Sequence, residues 1–558
     1  MASLTVQPLL TLLTSTPVIT LLIIIALLYT IDTLFLSPPY PKAIALINEP
    51  PSARRFSLKT RYKFYTDNVA LHQEAWNSYL KLGKPVVLPT LGYSAEVVLP
   101  PGWMKWVHSL PEHVVSVAEA FVQFDKIFYS MGDEKYIRDQ YQGLLVKRFD
   151  LEVMGRDIWE EMGDCFSRWV DRGEVDERGW KEVDVAETVR GIVAQMTARF
   201  TVGLDLCRNE EYLRLTCDMS DAFVVTAAVG MAVPPILQPV ACRLAALPLR
   251  VKTRRFLNML EPVYKKRVEQ LKDDAKPSPQ DSSGQQQRDS NRRPYDHLQL
   301  MLEFAQRNRP DEFESINDMG RRLAISNFGG IHQTAIHLGV MVLDLLGSDA
   351  EFNTISSLRD EFKRVMYSDG DPDKWTKSKL ASLVKADSLG RESMRLNQFG
   401  GRALFRKVVA DGGLKCPGDH VDHVVLPKGT MFSFLSKMPQ TDEQTYPDAL
   451  KLDPFRFSRM REAAAAEGIE KGAAAPPVSF VSLSLDHLPF AHGKHACPGR
   501  FIVDFELKML FCYLLRNYDI EWPSEYEGRR PPNVYVAEAC FPPKGARMRI
   551  RRREVPAF

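Results

Sequence analysis

The densest run of chemically capable residues is Phe490-Ala491-His492-Gly493-Lys494-His495-Ala496-Cys497-Pro498-Gly499-Arg500, followed at once by the amphipathic stretch FIVDFELKMLFCYLL. A cysteine just ahead of a helix meets the positive end of the helix dipole and unpaired backbone N–H groups, and both stabilise a metal-binding thiolate. Gly493 and Gly499 allow close backbone approach, and Phe490 packs against the loop and keeps water from the sulfur. Zinc held by His492, His495 and Cys497 is a competing chemistry, but a tight loop with this spacing lacks the fourth ligand of a closed tetrahedral site.

Two groupings upstream could support such a centre. Glu392 and Arg395 stand three apart, on one helical face, where carboxylate and guanidinium can pair bidentately, and Asp453-Pro454-Phe455-Arg456-Phe457 brings a second guanidinium. Ile325 to Ala335, ISNFGGIHQTA, lies within a helical pattern from about Ile316 to Leu346. Gly329 and Gly330 each cost that helix about 1 kcal/mol relative to alanine, so something must come close there, either a flat bound group or a neighbouring helix. Gln333 shares their face. His332 can titrate near neutrality, whereas the Gln333 amide can order water but supplies no proton as an acid does.

These residues need a scaffold. KPVVLPT and SAEVVLPP, from Lys84 and Ser94, read as a β-hairpin, and Trp103 to Arg364 carries mostly the 3.6-residue period of helices. Strand patterns return near the end, in NVYVAEACF and ARMRIRRRE. The polar stretch 273–293 and the Ala/Gly-rich stretch 463–477 read as flexible surface inserts rather than boundaries, which leaves one large mixed domain. The class is mainly α with small β-sheets.

The 558 residues are 45% apolar and carry 72 Lys plus Arg against 70 Asp plus Glu, so no global field favours nucleic acid. Eight scattered cysteines without a CxxC pair argue against both a secreted disulfide framework and a zinc ribbon. Val18 to Leu36 is long enough to cross a bilayer of about 30 Å, with Asp32 toward one interface, and no basic n-region or small-residue cleavage site marks it as a cleaved signal. The first Lys or Arg is Lys42, with Arg54, Arg55, Lys59, Arg61 and Lys63 after it, which places the bulk of the chain on the cytosolic side. The expected organisation is a lumenal 1–17, a transmembrane anchor 18–36, a hinge 37–60 opened by Pro38-Pro39-Tyr40-Pro41, and a catalytic domain 61–558.

The glycine helix, the E-x-x-R pair, the Pro-x-Arg-Phe element and the cysteine loop, in this order along the chain, resemble the cytochrome P-450 superfamily of haem-thiolate monooxygenases, in particular its fungal secondary-metabolism members. The resemblance implies that fold with an N-terminal transmembrane helix, haem b with Cys497 as axial iron ligand, and a cofactor cradle that includes Phe490, Gly493, His495, Gly499, Gly329 and Gly330. His495 would bond a propionate; Tyr141, Lys147 or Arg148 in DQYQGLLVKRF are further candidates for that task. Glu392, Arg395 and Arg456 would form a structural triad. His332, Gln333 and Thr334 occupy the oxygen-activating positions, with His332 replacing the usual acid and Gln333 the first threonine. The implied reaction inserts one oxygen atom into a hydrophobic small molecule, a terpenoid, meroterpenoid or indole-derived scaffold. Electrons come from NADPH through an FAD/FMN reductase, at the endoplasmic reticulum membrane. The substrate cavity is expected between the early hairpin and DQYQGLL, the glycine helix, Leu396 to Leu404 and Ala537 to Phe541. A haem-thiolate isomerase, dehydratase or peroxygenase, or a membrane-tethered haem sensor or carrier, would use the same ligand loop without consuming NADPH.

Overall fold

The computed structural model describes residues 40–92, 94–275, 294–417, 424–466 and 478–558, together with a few helical positions between 19 and 30. Most of the expected anchor and of the two inserts lies outside the described residues. The helix Leu247–Asp274 runs just into the first insert, and the helix Arg456–Ala466 takes in the start of the second.

Helices form the larger part, and their caps follow from sequence. The longest, Ile316–Phe352, starts where the Ser315 side chain accepts from the Asp318 N–H and ends at Asn353 in the left-handed region, φ 51°. It packs along Val185–Val202 and Glu210–Ala232. Among the described residues Glu210–Ala232 is the one helix long and apolar enough to cross a membrane. Yet Tyr212, Leu213 and Phe223 are buried against the helices around them, so it serves as a core helix.

The expected hairpin forms, Val86–Pro89 antiparallel to Ala95–Val98 with Val86 opposite Val98. It belongs to a six-stranded sheet in the order Ala45–Leu46, Val86–Pro89, Ala95–Val98, Met431–Leu435, Arg402–Val408, Val115–Ser116. Strand structure therefore returns well before the C-terminal segments, contrary to the sequence pattern, because Arg402 and Arg406 occupy buried positions that polarity assigns to a surface. Trp180–Asp184 is a further unexpected strand, pairing with Arg547–Arg552 in a three-stranded sheet. Val534–Val536 and Ala539–Phe541 make a small hairpin.

Three large apolar cores form among the described residues, one of them around Tyr212, Leu213 and Phe223, and the other two meet at the cysteine loop. One lies among the helices, with Val189, Leu338, Leu389, Phe505 and Phe490; the other lies under the large sheet, with Val86, Val97, Phe432, Leu435 and Leu488. The cysteine loop is the seam between them. Leu488 and Ala491 pack on the sheet core, whereas Phe490 and Cys497 pack on the helical core.

Helix Val384–Asn397 has few apolar residues yet is buried from Ala386 through Arg395. Its buried charged side chains are met by partners, although Arg391 Nε is left unpaired. Asp387 takes Lys508 and Arg461, Arg391 donates to the Ser479 and Ser482 carbonyls, and Ser393 pairs with Asp344. Glu392 and Arg395, both 0% exposed, pair bidentately at 2.7 and 2.8 Å. Arg456 Nε reaches Glu392 at 3.2 Å, and the Asp453 N–H donates to the same oxygen at 3.1 Å. Arg395 also donates to the carbonyls of Gln440 and Ala449, so the triad staples the loop 440–456 to the helix.

Removing one member strands the others in a low-dielectric interior. Arg395→Met is expected to lower unfolding stability by about 3 to 5 kcal/mol in chemical denaturation, or to prevent recovery of folded protein. Arg459→Ala, which removes a 56%-exposed guanidinium paired with Asp453, should change it by no more than about 1 kcal/mol.

Candidate active site around Cys497

Cys497 follows the turn Gly493–His495 and precedes the helix Arg500–Asn517. Its backbone N–H donates to the Phe490 carbonyl at 2.9 Å, which closes the loop, and the Phe490 ring meets Phe480 edge-on at 5.3 Å. Gly493 sits at φ +70°, and a Cβ there would come within 3.2 Å of His108 Nδ1. Burial raises the Cys497 thiol pKa, while the Gly499 and Arg500 N–H groups, directed at the sulfur, lower it. The sulfur is thus prepared for a cation that completes the balance.

Basic groups collect beside this loop, with Glu112 the carboxylate nearest them. Arg406 is 5% exposed, bonds only the Phe405 carbonyl through NH1 at 2.9 Å, and burial pushes its pKa down to about 10 despite Glu112 nearby. Arg402, two residues before Leu404 on the same strand face, is instead neutralised by Glu96 at 3.1 Å and by Glu538. His108 stands 4.9 Å from the His492 ring; its Nε2 is buried without a partner, and burial with the neighbouring His492, Arg406 and His495 pushes its pKa down to about 4. His492 Nδ1 and Arg500 Nε are likewise buried and unpaired. His495 reaches Glu112 at 3.3 Å, while burial and Arg406 hold its pKa below the ordinary value.

The long helix divides its glycine pair. A Cβ on Gly330 would lie 2.8 Å from Thr197 Cγ2, so Gly330 serves helix-to-helix packing rather than the bound-group cradle expected of it. A Cβ on Gly329 would meet nothing within 4 Å. Gly329 and Gln333, one turn apart, are exposed on a helix whose flanks are buried, so they mark an open interior face. Thr334 is 4% exposed and lies off that face, a correction to its grouping with Gln333. His332 stacks on Phe328 at 5.5 Å and meets Phe399 edge-on at 6.0 Å; its Nε2 is buried without a partner, and burial lowers its pKa.

Phe328 in turn contacts Phe223 at 4.4 Å, and Phe399 contacts Phe541 at 5.4 Å. This aromatic row joins the glycine helix, the segment after E-x-x-R and the C-terminal hairpin, three of the stretches expected to line one cavity. Phe124 against Phe405 at 5.3 Å brings in the fourth.

Tyr141 does not face the basic cluster. Its hydroxyl donates to Glu312 at 3.2 Å, and its ring lies under Arg322 at 4.2 Å. Lys147 and Arg148 are exposed. The residues that sequence reasoning missed are Arg406 and His108. A two-residue period placing Arg402 and Arg406 on one strand face was visible in RALFRKV, but their unequal neutralisation depends on Glu96 and Glu538, which are distant in the chain.

Comparison with known proteins agrees with this geometry. The family model for cytochrome P450 matches residues 144–548. The cytochrome P450 monooxygenase pbrC of Penicillium brasilianum is 41% identical over 522 residues, 93% of each chain. The cytochrome P450 monooxygenase astC of Aspergillus terreus is 42% identical over 523 residues, 93% of this chain and 94% of the relative. A solved structure, retinoic acid bound cyanobacterial CYP120A1, superposes with a TM-score of 0.58 at 16% identity, covering 89% of this chain and 96% of that one. The chain belongs to the cytochrome P450 family, and it is a monooxygenase of the oxidoreductase class, as its fungal relatives are.

That family implies haem iron, and the residues present fit it: a cysteine with N–H donors on its sulfur, the buried guanidinium of Arg406 outside any ion pair, and an open face at Gly329. Cys497→Ala should abolish the red-shifted ferrous carbon monoxide band, whereas Cys512→Ser, buried in the following helix, should keep it. Arg406→Leu separates two effects. Without haem it should stabilise the fold, because a buried unpaired charge disappears; with haem it should speed cofactor loss to apomyoglobin by about 10- to 100-fold.

Proposed function

We propose that this monooxygenase oxidises a hydrophobic fungal secondary metabolite, of terpenoid, meroterpenoid or indole-derived type, with electrons from NADPH passed through an FAD/FMN reductase. The observations that carry the reading are the Cys497 loop, with its N–H donors on the sulfur and Arg406 and His108 beside it, and the row of aromatic rings Phe223, Phe328, His332, Phe399, Phe541.

In this reading Cys497 would hold the haem iron through its thiolate, its loop closed by the Phe490 carbonyl and its sulfur met by the Gly499 and Arg500 N–H groups. Arg406, His108 and His495 would hold the carboxylates of the prosthetic group. Haem, when bound, supplies the activation of dioxygen, and the chain supplies the ligand, the orientation and a dry pocket. The aromatic row excludes water and takes the substrate's apolar faces. Gln333, on the open face beside Gly329, orders a water through its amide. Neutral His332, its Nε2 unpaired, can accept from or donate to that water or to a substrate hydroxyl.

Residues 18–36 anchor the enzyme in the endoplasmic reticulum membrane, with the catalytic domain in the cytosol. Ile19, Ile23, Ile24 and Leu27 are helical and 43 to 61% exposed, as a lipid-facing helix requires. Membership of a family with many fungal monooxygenases supports oxygen insertion over haem-thiolate isomerisation.

The test is product formed and NADPH consumed by the reductase-coupled enzyme, with haem content held equal. Gln333→Ala is expected to divert electrons, with more peroxide and less product per NADPH, and Gln333→Thr to restore coupling. Substrate conversion that proceeds without any NADPH consumption would transfer the chain to the isomerase or dehydratase reading.

A further inference from the structure

The C-terminal hairpin is held in place by charges that the reading above does not use. Val534–Val536 and Ala539–Phe541 are joined by Ala537 and Glu538, and Ala537 sits in the left-handed region at φ 51°. Among the described residues the hairpin pairs with no further strand, and a lone two-stranded hairpin is marginal in water. Its position must therefore come from side chains.

Glu538, in the turn, is gripped bidentately by Arg402, from Nε at 2.8 Å and from the NH2 group, and Arg402 also meets Glu96 at 3.1 Å. Arg402 and Glu96 are buried and belong to two strands of the six-stranded sheet, so the pair ties the turn to that sheet. His72 closes the corner. A Cβ on Gly401 would come within 2.7 Å of His72 Cε1 and 3.5 Å of Glu538 Cβ, so the missing side chain at 401 lets ring and carboxylate sit together. Burial pushes the His72 pKa down to about 4 in spite of Glu538, which leaves Arg402 as the cation of the cluster. Burial alone would raise the Glu538 pKa, but Arg402 holds it below the usual carboxylate value.

The last strand of the hairpin reaches the aromatic row. Phe541 meets Phe399 edge-on at 5.4 Å, the Cys540 N–H donates to the Phe399 carbonyl at 2.8 Å, and Phe399 in turn meets His332 at 6.0 Å. Phe541 follows Glu538 closely in the chain, so a turn that shifts carries both rings with it. Lys437 Nζ donates to the Tyr535 hydroxyl at 2.6 Å, but that bond holds the first strand and not the turn. A bidentate guanidinium–carboxylate pair has one preferred geometry, whereas apolar contacts at the turn would let it slide. We propose that Glu538 is a positioning residue for the oxidation: through Arg402 it fixes the Phe541 and Phe399 edge of the aromatic row, and so limits the bulk of the ligand that the cavity admits. The inference rests on the reading of that row as the substrate wall.

The experiment uses the full-length haem-loaded protein and two readouts. Hydrogen exchange is followed by mass spectrometry over the hairpin, where the Cys540 amide reports the bond to Phe399, and spectral titration gives the ratio of dissociation constants for imidazole and the bulkier 4-phenylimidazole at the iron. Glu538→Gln removes the charge with little change of volume, and Arg402 keeps Glu96, so no guanidinium is stranded. It is expected to speed exchange at Cys540 by about tenfold, with exchange in Val185–Val202 unchanged, and to shift the ratio by about fivefold in favour of 4-phenylimidazole. Glu538→Asp, with the charge on a shorter arm, should fall between, and Glu525→Gln, which breaks an exposed pair with Arg547, should match wild type in both. Faster exchange throughout the chain would overturn the proposal, because the role would then be structural only. A ratio that shifts with Phe399→Ala and not with Glu538→Gln would overturn it and leave the substrate wall standing; a ratio that ignores both would remove the wall and this inference with it. If Glu538→Gln fails to load haem, Glu538→Asp decides alone, and wild-type values for it would overturn the proposal.

Discussion

The structure depends on a helix that is polar and buried at once. Val384–Asn397 can occupy the interior only because each of its charges finds a partner, and the Glu392 carboxylate is the centre of that arrangement, gathering Arg395, Arg456 and the Asp453 backbone. Such a network adds little net stability over an apolar alternative, but once formed it tolerates no missing member. What it secures is position. Strand Arg402–Val408 leaves the end of this helix, and that strand carries Arg406 to the cysteine loop and Phe405 to the aromatic side of the cavity.

Charge is distributed with a purpose along that strand. Arg402 is compensated by two carboxylates, while Arg406 makes no ion pair and has only Glu112 nearby. An unpaired buried guanidinium costs stability in the empty protein and returns it when an anionic group arrives, the usual relation between a destabilised site and its ligand. The same logic governs Cys497, whose burial opposes ionisation until a metal ion stabilises the thiolate. In the proposed reading, these groups would suit a bound group that is cationic at its centre and anionic at its edge.

The long helix meets its neighbours differently on each face. Gly330 lets Val185–Val202 approach through Thr197, and Gly329, one residue earlier, leaves room for something that is not protein. Gln333 shares the open face, while Thr334 turns into the core. In the proposed reading, a water beside the open face would meet an amide and an imidazole, a set without a strong acid.

The sequence by itself determined the local features: the hairpin from Val86 to Val98, the capped helix from Ile316, the cysteine loop and the order of motifs that identify the family. Each is encoded within a few residues by period, cap or turn chemistry, so no distant partner is needed to read it. Tertiary structure alone decided the meaning of residues whose type was ambiguous. Glu392 and Arg395 have the spacing of a surface pair and are fully buried; Arg402 and Arg406 share a strand face and differ only through Glu96 and Glu538; Tyr141 turns to Glu312 and away from the basic cluster; and Gly329 and Gly330 part company over a single threonine. The physical reason is common to all four. The free energy of a charge or of a missing side chain is set by what lies within a few ångströms in space, and in a chain folded around a seam between two cores those neighbours come from segments tens to hundreds of residues away.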